Sequence, residues 1–245
     1  MITTVIPILN GEKWIVKAIE SFLEQKSKKE LIIIDSSEKV TKVIKPYLSE
    51  EISYYYRPDL EGIFDKCNFG LDIAKGDIFH TMACDHRLPE GTYEFVEEEI
   101  KDVDWLFGNV IFLDENEIEV ERHIVSLYNL KDFRQNGILT GCACYAKTDF
   151  IKKHNLKFNQ KYPLNADYDF YLRLAHYSRP KQIHEYLIKT IQRKDGLCDF
   201  DNNIEMRKKH RAEIAKQIRE EFTLSKVNPN EYNITQDASP IQNRD

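Results

Sequence analysis

Between Tyr56 and Pro89 the chain packs Asp59, Gly62, Asp65, Asn68, Gly70, Gly76 and the pair Asp85-His86 into about one strand–helix–strand unit. A unit of that kind has no structural need for so many acids and turn residues, so the segment reads as a site. Further candidates are spread along the chain. Asp35-Ser36-Ser37 closes a β-branched run, Asp167 and Asp169 open an apolar helical run, and Arg193-Lys194 precedes Asp195-Gly196. Each also has a plain structural reading. Aspartate often ends strands in turns, which covers Asp35, and it is favoured at helix N-caps, which covers Asp167 and would fix its orientation. Asp65 and Asn68 fit equally well as polar positions of a half-exposed helix, and a charged pair such as Arg193-Lys194 is ordinarily solvated. His86 can donate a neutral ring nitrogen to a soft cation or simply hydrogen-bond in a loop.

The elements that must position these residues follow from periodicity. Ile2–Ile8 is short and β-branched and runs into the turn signal Asn10-Gly11. Ile15, Ala18, Ile19, Phe22 and Leu23 recur at helical spacing. Leu31–Ile34 is a continuous apolar run, as in a strand buried on both faces of a parallel sheet. Val40 to Leu48 suggests an irregular helix broken near Pro46, Ile52–Tyr56 a third strand, Ile63 to Ala74 a helix ending at Lys75-Gly76, and Asp77–Ala83 a fourth strand. Beyond Pro89 the pattern predicts a helix over Tyr93–Ile100, a strand over Trp105–Leu113 and an edge strand or hairpin arm over Ile118–Ser126. A buried strand or loop over Leu139–Tyr145 and helices from Asp149, Asp167 and Ile204 complete the reading.

Strands alternating with helices predict an α/β fold with a Rossmann-like, mostly parallel central sheet flanked by helices and a C-terminal helical extension. Ligands of open α/β sheets bind beyond the carboxyl ends of the strands. Asn10, Asp35, Asp59 and Asp85-His86-Arg87 all fall there, so they are expected to converge. Pro7-Ile8-Leu9-Asn10-Gly11 is not the Gly-x-Gly-x-x-Gly of a dinucleotide site, and there is no Gly-Lys-Ser/Thr phosphate loop. A nucleotide bound here is not held by a glycine-rich loop.

Four segments together resemble family 2 glycosyltransferases, an inverting family with the GT-A fold. They are Val5-Ile6-Pro7-Ile8-Leu9-Asn10-Gly11 with the helix after it; Glu30 to Asp35; Pro58-Asp59-x-x-Gly62-Ile63-Phe64-Asp65-x-x-Asn68-x-Gly70 with Ala74-Lys75-Gly76-Asp77-Ile78; and Ala166-Asp167-Tyr168-Asp169-Phe170. The third is similar to a stretch found in bacterial surface-polysaccharide transferases. The resemblance implies a nucleoside-diphosphate-sugar donor bound around Pro7, Leu9, Asn10, Asp35, Asp59, Asp65, Asn68 and Arg193. It also implies a divalent cation, Mn or Mg, at Asp85 and His86, and Asp167 as the general base that deprotonates an acceptor hydroxyl. Asp169, two residues on, faces away on a helix. The acceptor would be a surface glycan, free or lipid-linked (capsule, O-antigen or lipooligosaccharide). The chain departs from the family pattern in two places. Ala83-Cys84-Asp85-His86 stands where a fuller acidic motif is usual, and Ser36 stands where a second acid often follows Asp35. These departures keep open a nucleotide-sugar binding protein of the same fold without turnover.

Composition sets the outer bounds. The 245 residues suit a catalytic domain over about 1–200, with a donor half to about 100 and an acceptor half beyond it. An amphipathic helix over 201–224 and a polar, disordered tail over 225–245 follow. A formal charge of −6 argues against nucleic acid as partner and is compatible with a divalent metal. Five cysteines without CxxC pairing read as reduced thiols. No run approaches a membrane span and no secretory signal is evident, so a cytoplasmic protein is expected. The last helix is basic through Arg207, Lys208, Lys209 and Arg211 and carries the stripe Ile214, Ile218, Phe222. Packing of that stripe on the domain is favoured over a peripheral contact with anionic lipid, because the apolar face is narrow and lacks Trp.

Overall fold

The computed structural model describes residues 1–37, 39–125, 141–193 and 200–224. Lys194, Asp195, Gly196, Cys198, the side chain of Phe222 and the tail 225–245 lie outside the described residues. Four strands form the first half of the sheet: β1 (Ile2–Ile8), β2 (Lys29–Asp35), β3 (Ile52–Tyr56) and β4 (Ile78–Thr81). They are all parallel, in the order β3-β2-β1-β4. The helices that return the chain between them are α1 (Ile15–Leu23), the short α2 (Thr41–Ile44) and α3 (Ile63–Ile73). Every residue of β2 is buried, as its unbroken apolar run predicts for a strand covered on both faces.

The second half is mixed. It comprises β5 (His86–Arg87), α4 (Thr92–Glu99), β6 (Trp105–Leu113), β7 (Glu119–His123), β8 (Cys144–Lys147), α5 (Thr148–Lys153), α6 (Ala166–Tyr177), β9 (Lys181–Ile191) and α7 (Phe200–Leu224). The sheet continues β4-β8-β6-β9-β5, with β7 alongside β6. β8 is antiparallel to β4 and to β6, so β6 and its parallel neighbour β9 run with the first four strands. Six of the nine strands therefore share one direction, which is the mostly parallel sheet expected.

Alternation along the buried strands builds two cores. Ile2, Ile6, Leu31 and Ile33 face α1 and α4, where Ile15, Ile19, Phe22, Tyr93 and Val96 fill one layer. Val5, Ile32 and Ile34 face α3, α6 and α7 through Cys67, Leu71, Phe170, Leu174, Ile214 and Ile218. Ile214 and Ile218 of the last helix thus pack on the domain. Two strands were not expected, the short β5 and β9, which carries Lys181, His184, Glu185 and Lys189 among its apolar residues. Its pairing with β6 shifts register on both sides of Asn109, so burial along it follows no clean period of two.

α3 lies close on β1 because position 70 has no side chain. A Cβ on Gly70 would stand 2.5 Å from Val5 Cγ2 and 2.6 Å from Cγ1. Gly70→Ala is expected to gain about 1 kcal/mol of helix propensity and to lose roughly 1–3 kcal/mol to overpacking against a stiff β-branched partner. The net expectation is a lower urea midpoint at unchanged m-value; an unchanged or higher midpoint would show that the contact does not limit the packing.

Candidate active site

Strand register brings the first group together. Ile8 pairs with Asp35, and Asp35 with Tyr56, so the ends of β1, β2 and β3 are level. Asp35 is fully buried. Its Oδ1 accepts from the Ser37 N–H at 2.9 Å and the Ser37 hydroxyl at 2.8 Å, and its Oδ2 accepts from the Tyr54 hydroxyl at 3.2 Å. Ser36-Ser37 therefore builds an Asx-type turn that holds the carboxylate. Beside it Leu9 and Asn10 are exposed, Asn10 with φ 56°, a left-handed conformation that Asn tolerates, while Pro7 is half-buried within β1. The Asn10 N–H reaches the Ser37 hydroxyl at 3.4 Å.

Three expected donor-site residues are engaged elsewhere. Asp59 makes a bidentate pair with Arg57, at 2.8 and 2.6 Å, on an exposed turn. Asp65 accepts the Gly62 N–H at 3.1 Å and so closes the first turn of α3. Asn68 clamps the backbone of Phe158, donating to its carbonyl at 2.9 Å and accepting its N–H at 2.8 Å. Asn68 thus ties α3 to the loop before α6.

β4 is short, and after Thr81 the chain leaves the sheet before rejoining it as β5, paired with the end of β9. The loop between carries Cys84, whose Sγ would lie 2.9 Å from a Cβ at position 11; only Gly11 lets the β1 turn approach so closely. Arg87 fixes the loop from beneath, donating to the carbonyls of Cys84 at 3.3 Å and His86 at 2.7 Å and pairing with Glu117 at 2.9 Å. The Ile191 N–H donates to the Asp85 carbonyl at 3.3 Å, which sets Arg193 beside Asp85. Arg193 Nη1 donates to Asp85 Oδ2 at 3.1 Å, and the guanidinium lies 5.6 Å from the Trp14 ring centroid. His86 Nδ1 accepts the Ala83 N–H at 3.2 Å, and its Nε2 lies 3.8 Å from Asp85 Oδ1. Burial pushes the His86 pKa down, with Asp85 opposing, so the ring is neutral.

Asp167 occupies the second position of α6; the N-cap is Asn165, so Asp167 is not the cap residue. Its Oδ1 accepts the Tyr168 N–H at 2.8 Å, and a Cβ at Gly141 would stand 3.1 Å from its Oδ2. Burial raises its pKa above that of an ordinary aspartate; the Tyr168 N–H, then Arg207 and Arg211, oppose the rise. Asp169 is fully buried and paired with Arg173 at 3.0 Å, a structural role that agrees with its facing away.

Sequence reasoning passed over three features. Arg207 and Arg211 face Asp167 from α7, and Arg211 lies 5.5 Å from the Tyr168 ring. Their signal was present, since 207, 211, 214 and 218 form one helical stripe with the buried Ile214 and Ile218. His80, buried and held neutral with its pKa down to about 3 by burial, links Thr4 Oγ1 at 3.1 Å to the Cys142 carbonyl at 2.9 Å. That bond anchors the turn that presents Gly141 to Asp167. Lys66, fully buried in α3, donates to the Glu61 carbonyl at 3.4 Å; burial lowers its pKa while Asp35 opposes.

Residues 3–154 match the family described as glycosyl transferase family 2. The chain belongs to that family. It is 24% identical over 208 residues to an uncharacterized glycosyltransferase of Rickettsia typhi, covering 78% of this chain and 63% of that one. It is 25% identical over 225 residues to the dolichyl N-acetyl-alpha-D-glucosaminyl phosphate 3-beta-D-2,3-diacetamido-2,3-dideoxy-beta-D-glucuronosyltransferase of Methanococcus voltae, covering 79% and 68%. The chain spans about two thirds of the length of these curated relatives. Residues 1–349 of S. aureus TarS, solved in complex with UDP-GlcNAc, superpose with a TM-score of 0.66 at 15% identity, over 93% of this chain and 74% of that one. The fold is GT-A. Among the described residues no helix is long and apolar enough to cross a membrane.

The raised pKa of Asp167 carries a sign. The folded protein binds this proton more tightly than the unfolded chain does, so the ionised carboxylate costs stability once pH rises through the raised value. Asp167→Asn should therefore be more resistant to urea than the parent protein at pH 7, and the gap should close as pH falls toward the carboxylate range. A variant less stable than the parent at pH 7 would show that Arg207 and Arg211 outweigh burial.

Proposed function

We propose that this chain is an inverting glycosyltransferase that moves a sugar from a nucleoside-diphosphate donor to an acceptor hydroxyl of a surface-type glycan. The observation that carries the proposal is Asp167. It is an acid in the first turn of α6, beside a glycine turn, with a pKa raised by burial and two guanidiniums within electrostatic reach. A carboxylate made more basic than an exposed one suits a general base. The acceptor oxygen attacks the anomeric carbon and its proton passes to Asp167. The bond from that carbon to the diphosphate breaks on the opposite face, and the electron pair leaves with the nucleoside diphosphate.

On this reading the donor lies over the ends of β1 and β2. Asp35 with the exposed Leu9 and Asn10 receives the nucleoside, and the Asp85–Arg193 pair faces the diphosphate. Asp59, Asp65 and Asn68 shape that half indirectly, through the turn, the helix start and the tie to Phe158. The TarS complex with UDP-GlcNAc supports a uridine diphosphate sugar as donor, and the dolichyl phosphate in the name of the Methanococcus voltae relative supports a lipid-linked acceptor. A lipid-linked acceptor would place the protein in the cytoplasm with a peripheral contact at the inner membrane face.

The test separates the base from the donor site. UDP release from UDP-sugars is measured with and without a lipid-linked saccharide acceptor, and UDP binding is measured calorimetrically. Asp167→Asn is expected to lower acceptor-dependent release by about 10²–10⁴-fold with UDP affinity unchanged. Wild-type rates in that variant would reject Asp167 as the base, and UDP binding without any turnover in the parent protein would favour a binding protein.

A further inference from the structure

His80 is fully buried in β4, opposite Thr4 of β1 and Tyr145 of β8, and its ring stacks on that of Tyr145 with centroids 4.2 Å apart. An apolar side chain would fill this place without the cost of burying two polar nitrogens, so the nitrogens matter for what they bond. Nε2 lies 2.9 Å from the Cys142 carbonyl, which can only accept, so the neutral ring carries its hydrogen on Nε2. Nδ1 then accepts from the Thr4 hydroxyl at 3.1 Å, and the Thr4 oxygen in turn accepts from the Tyr93 hydroxyl. One carbonyl thus sets the direction of a hydrogen-bond chain that runs from α4 through β1 and β4 to the turn Gly141–Ala143.

That turn rests on the face of α6 that carries Asp167. A Cβ at Gly141 would stand 3.1 Å from Asp167 Oδ2 and 3.3 Å from Tyr171 Cε2. Positions 167 and 171 are one turn apart on the helix, so the bare backbone of Gly141 lies against both. Tyr171 is hydrogen-bonded to the Thr81 side chain. Adjacent residues of β4 therefore hold the two sides of one contact, His80 the turn and Thr81 the helix.

We propose that His80 is a positioning residue for the general base: its bond to the Cys142 carbonyl keeps the Gly141–Ala143 turn against Asp167, which fixes the carboxylate and shields its flank from water. The proposal rests on the reading of Asp167 as the base. The Tyr168 N–H holds Oδ1, and the turn bounds the space beside Oδ2. A turn released from His80 can lift, so that Asp167 rotates and water reaches it. The other groups that face Asp167 are Cys67 on α3, Cys144 on β8, Tyr171 on α6, and Arg207 and Arg211 on α7. Burial holds both thiols and the phenol un-ionised at neutral pH, so a lifted turn changes the solvation of Asp167 and leaves the charges around it as they are.

The test is made on the full chain. The Asp167 carboxyl is titrated by carbon NMR, its signal assigned by its absence in Asp167→Asn. Acceptor-dependent UDP release from UDP-sugars is measured with a lipid-linked saccharide, beside UDP binding. His80→Phe keeps a stacked ring and removes both nitrogens. It is expected to lower kcat by about 10- to 100-fold, the cost of a slightly misplaced catalytic group, with UDP affinity within about twofold of the parent. Its Asp167 should titrate lower than in the parent, because water favours the charged form. His80→Gln returns an N–H donor near the place of Nε2 and should recover most of both effects, which a role in stability alone does not predict. A folded His80→Phe protein with parental kcat or a parental Asp167 titration overturns the proposal, and so do equal losses in the Phe and Gln variants. If His80→Phe does not fold, Gly141→Ala carries the test, since its Cβ presses on Asp167 directly; there too a loss of kcat at parental UDP affinity is expected, and an unchanged kcat overturns the proposal. Full transfer by Asp167→Asn, or no acceptor-dependent release in the parent, instead removes the reading of Asp167 as the base, and the proposal falls with it.

Discussion

The two-strand contact between β5 and the end of β9 is the constraint on which the site depends. β4 is short, paired with β1 and β8, and beyond it the chain rejoins the sheet through β5. Pairing of His86 with Thr190 and of Arg87 with Lys189 returns the chain to the sheet on the far side of β9. The long crossing joins a residue from the parallel half, Asp85, to one from the mixed half, Arg193, separated by 108 positions in sequence. Arg87 reinforces the join by filling the loop's carbonyls with guanidinium donors, while its ion pair with Glu117 reaches the turn between β6 and β7.

A second carboxylate is handled by different means. Asp85 has a direct guanidinium partner, whereas Asp167 is restrained by one backbone N–H, by its place in the first turn of α6, where the helix dipole favours an anion, and by arginines on a separate helix. Burial raises the pKa of Asp167, and Asp85 is held in place by its guanidinium partner. The two aspartates, chemically identical, thus stand in different environments. The setting of Asp167 also gives the last helix a reason to pack where it does, since the stripe that buries Ile214 and Ile218 is the one that carries Arg207 and Arg211 toward Asp167.

What could be read from the sequence follows from how local the determining forces are. β1, β2, β3 and β6 are set by short β-branched or continuous apolar runs, and α1, α3 and α6 by apolar spacing, so their positions are legible within a residue or two. β9 is not, because its burial is decided by two register shifts against β6 and by neighbours far away in sequence. The place of Asp35 at a strand end was legible from the alternation of elements, whereas the approach of Arg193 to Asp85 was not, because it follows the unexpected β9. The employment of Asp59, Asp65 and Asn68 was not, since Arg57, Gly62 and Phe158 claim them through contacts that residue type alone does not reveal. The plain readings of Asp65 and Asn68 as polar helix positions come nearer to what is seen than a direct place in the donor pocket.

The tautomer of His86 shows how a backbone detail can redirect chemistry. A histidine next to an aspartate at a strand end invites a metal, and the invitation is valid only if a ring nitrogen points its lone pair outward. Here the tight turn Ala83–His86, closed by the His86 N–H on the Ala83 carbonyl at 3.1 Å, folds the ring back so that Nδ1 receives the Ala83 N–H in return. The turn itself thus consumes the acceptor and leaves the donor. With His86 satisfied from within the loop, the charge that remains to be balanced is that of Asp85, and the residue within reach that balances it is an arginine.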